Sequence, residues 1–195
     1  PNPAPTVGHG LNAAPQLIIS KSRNPNGDDG GAWYVNHTYN YDNWFRLNLT
    51  NAGQSIAASG GGTTVDPTSS VFSTYFIAGS NCNNNNYVAY CWSEVPGFSK
   101  FGSYNGSGVS GNTVTTGFKP RYLLIKRTDS TGNWWIWDTE RGNNKFLYAD
   151  ASSGGNANDA IVGSYPINAT ATGFSIDNTA DLNTTGATYI YAAFA

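Results

Sequence analysis

The chain has 195 residues, of which 39% are apolar and 11% are charged, and ten Lys and Arg against twelve Asp and Glu leave a formal net charge of −2. No window approaches the run of apolar residues that a membrane-spanning helix needs, and the few scattered basic residues argue against nucleic acid as a partner. Soluble domains usually carry about 25% charged residues. Here Asn, Thr, Ser and Gly supply the polarity instead, which suits an extracellular or particle-bound protein, or a subunit packed against copies of itself.

Short segments rich in β-branched and aromatic residues recur along the chain and predict strands. Turn-forming Gly, Pro, Asn and Asp separate them, and no segment shows a sustained apolar period of 3.6 residues. The predicted strands are Leu17–Ser20, Trp33–Thr38, Val71–Ile77, Tyr87–Trp92, Arg121–Lys126, Trp134–Asp138, Phe174–Ile176 and Tyr189–Phe194. Short strands at this spacing predict an all-β fold, an antiparallel β-sandwich or a jelly-roll-like architecture.

The predicted strands fall into two copies of one pattern. Lys21 matches Lys126 at an offset of 105 residues, and the run 87–93 matches 189–195 at an offset of 102. The offset drifts only in stretches rich in Gly, Asn and Ser, where loop insertions cost little. We therefore predict two tandem copies of one unit, with a first β repeat over residues 1–95, a linking segment over 96–112 and a second β repeat over 113–195.

Two features suggest a piece of a longer polypeptide. The first repeat has no counterpart of Phe101-Gly102-Ser103-Tyr104 ahead of it, and the chain contains no Met. We therefore expect that the sequence is processed or internal to a longer protein.

Aromatic residues give the best binding signal. One face of the Trp-rich strand, which includes Trp134, is apolar in both copies and is expected to be core. The opposite face carries Trp135 and Trp137 in the second copy, where the first copy has Tyr34 and a polar residue. Such rings are covered by a neighbouring repeat or subunit, or they contact a ligand such as a sugar. Trp135, Trp137, Tyr34 and Trp44 are therefore the candidate ligand-binding or subunit-interface residues.

Residue types suited to catalysis are sparse. Asp138 and Glu140 share strand parity and could act as paired carboxylates in glycoside hydrolysis; the alternative is a solvated turn. His9 and His37 are not accompanied by a nucleophile motif and are better read as structural histidines. We expect no enzyme, no catalytic residue and no cofactor.

Metal-binding patterns are weak as well. Cys82 and Cys91 are too few for a metal site by themselves, and the sequence leaves open whether they pair or remain free thiols. Asn24, Asn26 and Asp28 alternate as calcium ligands would, but an ordinary turn explains them better. We expect no metal site.

Three motifs stand out in the middle of the chain. They are Val88-Ala89-Tyr90-Cys91-Trp92-Ser93-Glu94-Val95-Pro96-Gly97-Phe98-Ser99-Lys100-Phe101-Gly102-Ser103-Tyr104, Thr116-Gly117-Phe118-Lys119-Pro120 and Ile125-Lys126-Arg127-Thr128-Asp129. With these motifs the chain resembles a C-terminal domain of unknown function in structural proteins of marine tailed phages, densely from Val88 to Asp129 and more weakly over nearly the whole chain. Where that family usually has Phe-Ala, this chain has Trp92-Ser93. The resemblance implies a virion component and no particular chemistry.

These observations predict a phage virion structural protein, a fibre, tail-associated or particle-surface component that acts by multivalent display. The expected partners are further copies in a homo-oligomer, other virion proteins and a host surface glycan, with no nucleic acid and no membrane insertion. The expected location is the virion, extracellular once assembled. The alternative is a carbohydrate-binding, lectin-like module, and a third reading is a hydrolase of envelope polysaccharide.

Overall fold

The computed structural model describes residues 5–23, 32–57, 66–73, 86–150, 161–162 and 167–195. Within these ranges the chain is all-β with antiparallel strand pairing, and its helical content is a 3₁₀ helix at Asp181–Asn183. The predicted antiparallel β-sandwich class is confirmed. None of the described segments forms a helix with the length and apolarity of a membrane span. The calcium reading at residues 24–28 and Cys82 lie outside the described residues.

The chain divides into two compact units: unit 1 comprises residues 1–47 and 53–93, and unit 2 comprises residues 48–52 and 94–195. The strands of unit 1 are β1 (Thr6–Gly8), β2 (Leu17–Ser22), β3 (Trp33–His37), β4 (Asn43–Arg46), β5 (Gln54–Ser55), β6 (Val71–Ser73) and β7 (Tyr87–Trp92). The strands of unit 2 are β8 (Ser99–Asn105), β9 (Asn112–Thr115), β10 (Tyr122–Arg127), β11 (Trp134–Asp138), β12 (Lys145–Tyr148), β13 (Ile161–Val162), β14 (Ile167–Thr170), β15 (Gly173–Ile176) and β16 (Thr188–Phe194).

The segment 96–112, predicted to be a link between repeats, belongs to unit 2. It contains β8, which pairs along its whole length with β16. The two units therefore divide between Ser93 and Glu94, because backbone pairing ties the segment 96–112 to the sheet of unit 2.

The two units share one sheet topology. The long sheet of unit 1 has the order β5-β4-β3-β2-β7, and that of unit 2 has the order β13-β12-β11-β10-β16-β8. The registers also agree: Leu17 lies opposite Trp92 in the β2–β7 pair, and Tyr122 lies opposite Phe194 in the β10–β16 pair. Among the described strands, each strand of the unit 1 sheet has a counterpart in the unit 2 sheet, and unit 2 has β8 in addition.

A short sheet faces the long one in each unit. In unit 1 it pairs β1 with β6, with Val7 opposite Phe72. In unit 2 it has the order β14-β15-β9, with Val114 opposite Phe174. Because the register again matches, both units are built from the same two-sheet arrangement.

The interior of unit 2 lies between its two sheets. Its large members include Trp137, Phe146 and Tyr189 from the long sheet and Phe174 from the short sheet. In unit 1 the corresponding cluster is smaller. Its members are Ile18, Ala32, Tyr34, Trp44, Ile56 and Phe72.

The face of β11 that includes Trp134 was predicted to be core and is buried, but the opposite face is buried too. The face of β11 that carries Trp135 and Trp137 packs against the short sheet, while Trp134 lies on the opposite face and is also buried. Where both faces of a strand are buried, its sequence becomes a nearly continuous apolar run, and alternation no longer identifies the interior. The buried run of β16, residues 189–193, shows the same effect.

Eight strands match the predicted ones. The bounds of β7 and β11 are those predicted, and those of β2, β3, β10, β15 and β16 differ by one or two residues. The predicted strand at 71–77 is observed as β6 over its first three residues, and residues 74–77 lie outside the described ranges. Strands β1, β4, β5, β8, β9, β12, β13 and β14 had no prediction.

The matched residues Phe72 and Phe174 offer a test of this packing. Phe174 makes edge contacts with Tyr104 (6.1 Å between ring centroids) and Tyr191 (5.6 Å), whereas unit 1 has Ala89 in place of Tyr191. We expect Phe174→Ala to lower the free energy of unfolding by about 3–5 kcal/mol and Phe72→Ala to lower it by less. Urea unfolding followed by tryptophan fluorescence measures both, and equal losses would contradict the packing difference.

Candidate functional site

The predicted binding residues Trp135 and Trp137 lie in the interior of unit 2. Trp135 is 7% exposed and Trp137 is 1% exposed. The ring of Trp135 makes edge contacts with Phe146 and Tyr148, at centroid distances of 5.2 and 4.7 Å. Both rings belong to the interior cluster that also contains Phe174 of the short sheet, so they do not form a platform on the surface.

Tyr34 and Trp44 occupy the same role in unit 1. Their ring centroids are 5.3 Å apart in an edge arrangement, and both side chains are buried. Arg46 lies over the Trp44 ring at 5.4 Å. As in unit 2, these rings close the interior rather than presenting a flat face to a ligand, so the four predicted residues do not form one site.

A small cavity of about 120 Å³ in unit 2 reaches the edge of Trp135. Its wall includes Arg127, Asp181 and Tyr189. The Arg127 guanidinium forms a two-bond ion pair with Asp129, at 3.0 and 2.9 Å; this pairing raises the pKa of Arg127 and lowers that of the Asp129 carboxyl. The cavity thus joins an aromatic edge to a fixed positive charge, a combination that could hold one small polar group.

The carboxylates proposed as a hydrolytic pair are each bound by an arginine. Glu140 accepts a 2.7 Å bond from Arg121, and Asp138 is ion-paired with Arg141. Asp138 also accepts a 2.9 Å bond from the Arg141 backbone N–H, so it closes the turn after β11. Among the described residues, no group of three or more His, Cys, Asp and Glu side chains is arranged to bind a metal ion.

Both histidines organise turns. His9 Nδ1 accepts a 3.2 Å bond from the Leu11 backbone N–H, and His37 Nδ1 accepts a 3.1 Å bond from that of Tyr39. In unit 2 the hydroxyl of Thr116 stands at the position of His9 and accepts from the N–H two residues on, at 3.5 Å. The shared geometry is that of a local turn, which agrees with a structural role for the two rings.

A set of hydrogen bonds centred on Glu94, here called the clasp, joins the segment ahead of β8 to the start of that strand. Glu94 accepts from Lys100 at 3.0 Å and from the Phe101 backbone N–H at 3.2 Å. The Ser99 hydroxyl accepts from the Val95 N–H at 2.9 Å, and Gly97 has a φ of +77° in the intervening turn, a value that favours glycine. The clasp therefore fixes how β8 enters its sheet.

A buried charge that the sequence analysis missed lies in unit 2. Lys126 is 0% exposed, and its ammonium donates to the carbonyls of Arg127 at 2.8 Å and Thr50 at 3.3 Å. Burial lowers its pKa from 10.5 to about 8. Nearby, burial raises the pKa of the Asp150 carboxyl, which accepts from the Trp134 N–H at 3.0 Å. The lysine thus anchors the segment 48–52; the match between Lys21 and Lys126 was the only signal for it.

The sequence analysis also missed a cavity of about 290 Å³ in unit 1. It lies between the two sheets of that unit and is bordered by β1, β6 and β7. Its wall includes Phe72, Ala89 and Cys91. Cys91 is a free thiol, and burial raises its pKa to about 11.

Comparison with known proteins gives one family. A family model for a domain of unknown function, DUF7483, matches residues 2–195. No curated protein and no solved structure matches the chain.

The buried lysine gives a pH-dependent prediction. Between pH 8 and 10 the folded chain has lost the Lys126 proton while the unfolded chain, with its pKa near 10.5, retains it, so stability rises with pH. From pH 8 to pH 10, we expect the free energy of unfolding of the wild type to rise by about 2–3 kcal/mol relative to that of Lys126→Met. Urea unfolding at pH 7, 8, 9 and 10 measures the difference, and parallel pH profiles would contradict it.

The raised pKa of Cys91 predicts that its thiol reacts slowly with alkylating reagents in the folded protein. In a Cys82→Ser background, we expect iodoacetamide to alkylate folded protein much more slowly at pH 8 than urea-unfolded protein, because the thiolate is the reactive form. The folded rate should climb as pH approaches 11. Mass spectrometry measures the rate, and equal folded and unfolded rates at pH 8 would show that the thiol is not shielded.

Proposed function

This chain belongs to the DUF7483 family, a domain of unknown function, and on that premise we propose that it is a structural component of a phage virion. It lies on a fibre, a tail or the particle surface and acts by multivalent display. The motif run from Val88 to Asp129, which resembles structural proteins of marine tailed phages, supports this proposal.

The observation that carries the proposal is the position of the aromatic rings. The residues with the best chemistry for sugar stacking, including Trp137 and Trp44, fill the interiors of two matched sandwiches. Burying an aromatic side chain contributes strongly to stability, so these rings serve a rigid scaffold. A scaffold with two matched units suits a protein whose task is to hold and present surface.

The surface chemistry agrees with a display role. Exposed charges such as Arg121 and Glu140 neutralise each other in ion pairs, which contribute little to stability individually. Only 11% of the residues are charged, so uncharged polar side chains such as those of Asn, Thr and Ser supply much of the polarity. Such a surface repels neighbouring copies weakly, and linked copies turn a weak contact with a cell envelope into firm attachment.

A carbohydrate-binding module is the second candidate, and the cavity beside Trp135 favours it. There the edge of an indole ring, the Arg127 guanidinium and the Asp181 segment surround a space of about 120 Å³. That volume would admit a single hydroxyl-bearing substituent rather than a whole sugar ring, so any glycan contact would be shallow.

Assembly and location test the structural role. We expect purified protein to run as a homo-oligomer in size-exclusion chromatography with light scattering, and antibodies raised against it to label the fibre, tail or surface of the intact phage in electron microscopy. A monomer that labels no part of the particle would contradict the proposal.

Glycan titration separates the second candidate. Host polysaccharide should give no heat of binding in calorimetry if the chain is a scaffold. If it binds, Arg127→Ala should weaken it at least tenfold, about 1.4 kcal/mol, when the cavity is the site. Arg121→Ala, which removes an exposed ion pair outside the cavity, is the matched control.

A further inference from the structure

Strand β7 lies at the edge of its sheet. Among the described strands it pairs with β2 on one side and with none on the other. Its counterpart β16 pairs with β10 on one side and with β8 on the other. An unpaired edge exposes a row of backbone donors and acceptors that can bind another strand.

Burial differs between the two counterparts in the same way. Tyr90 of β7 is 47% exposed, whereas Ala192 at the matching position of β16 is 3% exposed. Next to Tyr90, Ala89 is also exposed, while its counterpart Tyr191 is buried. The neighbour that β8 provides in unit 2 is thus missing from the described part of unit 1.

The cavity in unit 1 coincides with the side chains that β8 inserts in unit 2. Tyr104 of β8 stacks on Tyr189 at 4.9 Å and meets the edge of Phe174 at 6.1 Å. The counterparts of Tyr189 and Phe174, which are Tyr87 and Phe72, line the cavity. The space of about 290 Å³ is therefore where a tyrosine of a β8-type strand would lie.

The cavity also has room that unit 2 lacks. In β8, Gly102 lies under the ring of Tyr191, and a Cβ on Gly102 would come within 2.8 Å of the Tyr191 hydroxyl oxygen. Unit 1 has Ala89 in place of Tyr191, so the corresponding position of an added strand could carry a side chain. The edges of β7 and β16 would thus pair with such a strand in the same way, but they leave different amounts of room for the side chain at the position of Gly102.

We propose that the β7 edge and this cavity receive an added strand of the β8 type, with an aromatic side chain at the position of Tyr104. In unit 2 this strand lies directly ahead of β9, the counterpart of β1. The same order assigns the donor in unit 1 to the polypeptide directly ahead of β1, so the strand comes from the same molecule. It would close the sheet edge by antiparallel pairing and fill the interior, as in strand complementation.

A graft tests the proposal without knowledge of the natural donor. A copy of residues 99–112 is fused directly ahead of Thr6, so that the added strand lies as far from Val7 in sequence as β8 lies from Val114. We expect amide exchange at Val88 to Trp92 to slow by about tenfold or more, and Cys91 alkylation in a Cys82→Ser background to slow in parallel. A Gly-Ser segment of equal length is the control and should change neither.

Two variants of the graft test side-chain fit. Changing its Tyr104 equivalent to Ala should abolish most of the protection, because the cavity is left open. Changing its Gly102 equivalent to Leu should increase the protection, whereas the same Gly102→Leu substitution in native β8 should destabilise unit 2. Thermal unfolding and hydrogen exchange measure these changes.

Two results would overturn the inference. One is a graft that protects β7 no better than the Gly-Ser segment does. The other is protection by a free peptide of residues 99–105 without protection by the graft, which would assign the donor to a different polypeptide. Neither result depends on whether the chain is a virion component.

Discussion

Burial of large side chains between a long and a short sheet is the constraint on which each unit depends. The long sheet alone would leave a wide apolar face in water, and only the second sheet removes it. In unit 2 the closure is dense: Phe174 of the short sheet reaches Tyr104 and Tyr191 of the long one. In unit 1 the same closure is incomplete, since Ala89 is small and no described strand takes the place of β8, which leaves a cavity. The contrast between dense and incomplete closure explains why the two units, alike in strand order, differ in surface.

Much of the fold could be predicted because the two copies repeat the same pattern of strand-forming residues. The match between Lys21 and Lys126, and between the runs 87–93 and 189–195, aligns strands whose registers agree residue by residue. Strand β8 escaped prediction because Ser, Gly and Asn dominate it, and these residues favour turns. Its strand state comes from pairing with β16, a partner that no local pattern reveals.

The candidate site was harder to predict than the fold. Trp135 and Trp137 were chosen because the matching face of the first copy holds a polar residue, Asn36, and polarity normally indicates solvent. Asn36 is nonetheless fully buried, and its amide donates to the Asn43 carbonyl at 3.3 Å. Because Asn36 is buried, the face that was expected to meet solvent is an interior face. The sequence alone does not show this, since it depends on packing against the second sheet. The unit 1 cavity could not be predicted either, because its wall is formed by residues of β1, β6 and β7 that are distant in sequence.

The clasp at Glu94 has a consequence for how unit 2 folds. Strand β8 joins β16, which lies at the far end of the unit in sequence, so their pairing is non-local and such closures form slowly. An edge strand with a distant partner can pair in the wrong register. A shift of one residue would turn the Tyr104 side chain away from the interior. Because Glu94 binds the ammonium of Lys100 and the backbone of Phe101 at once, contacts that are close in sequence hold the start of β8 in the register that it needs for pairing with β16.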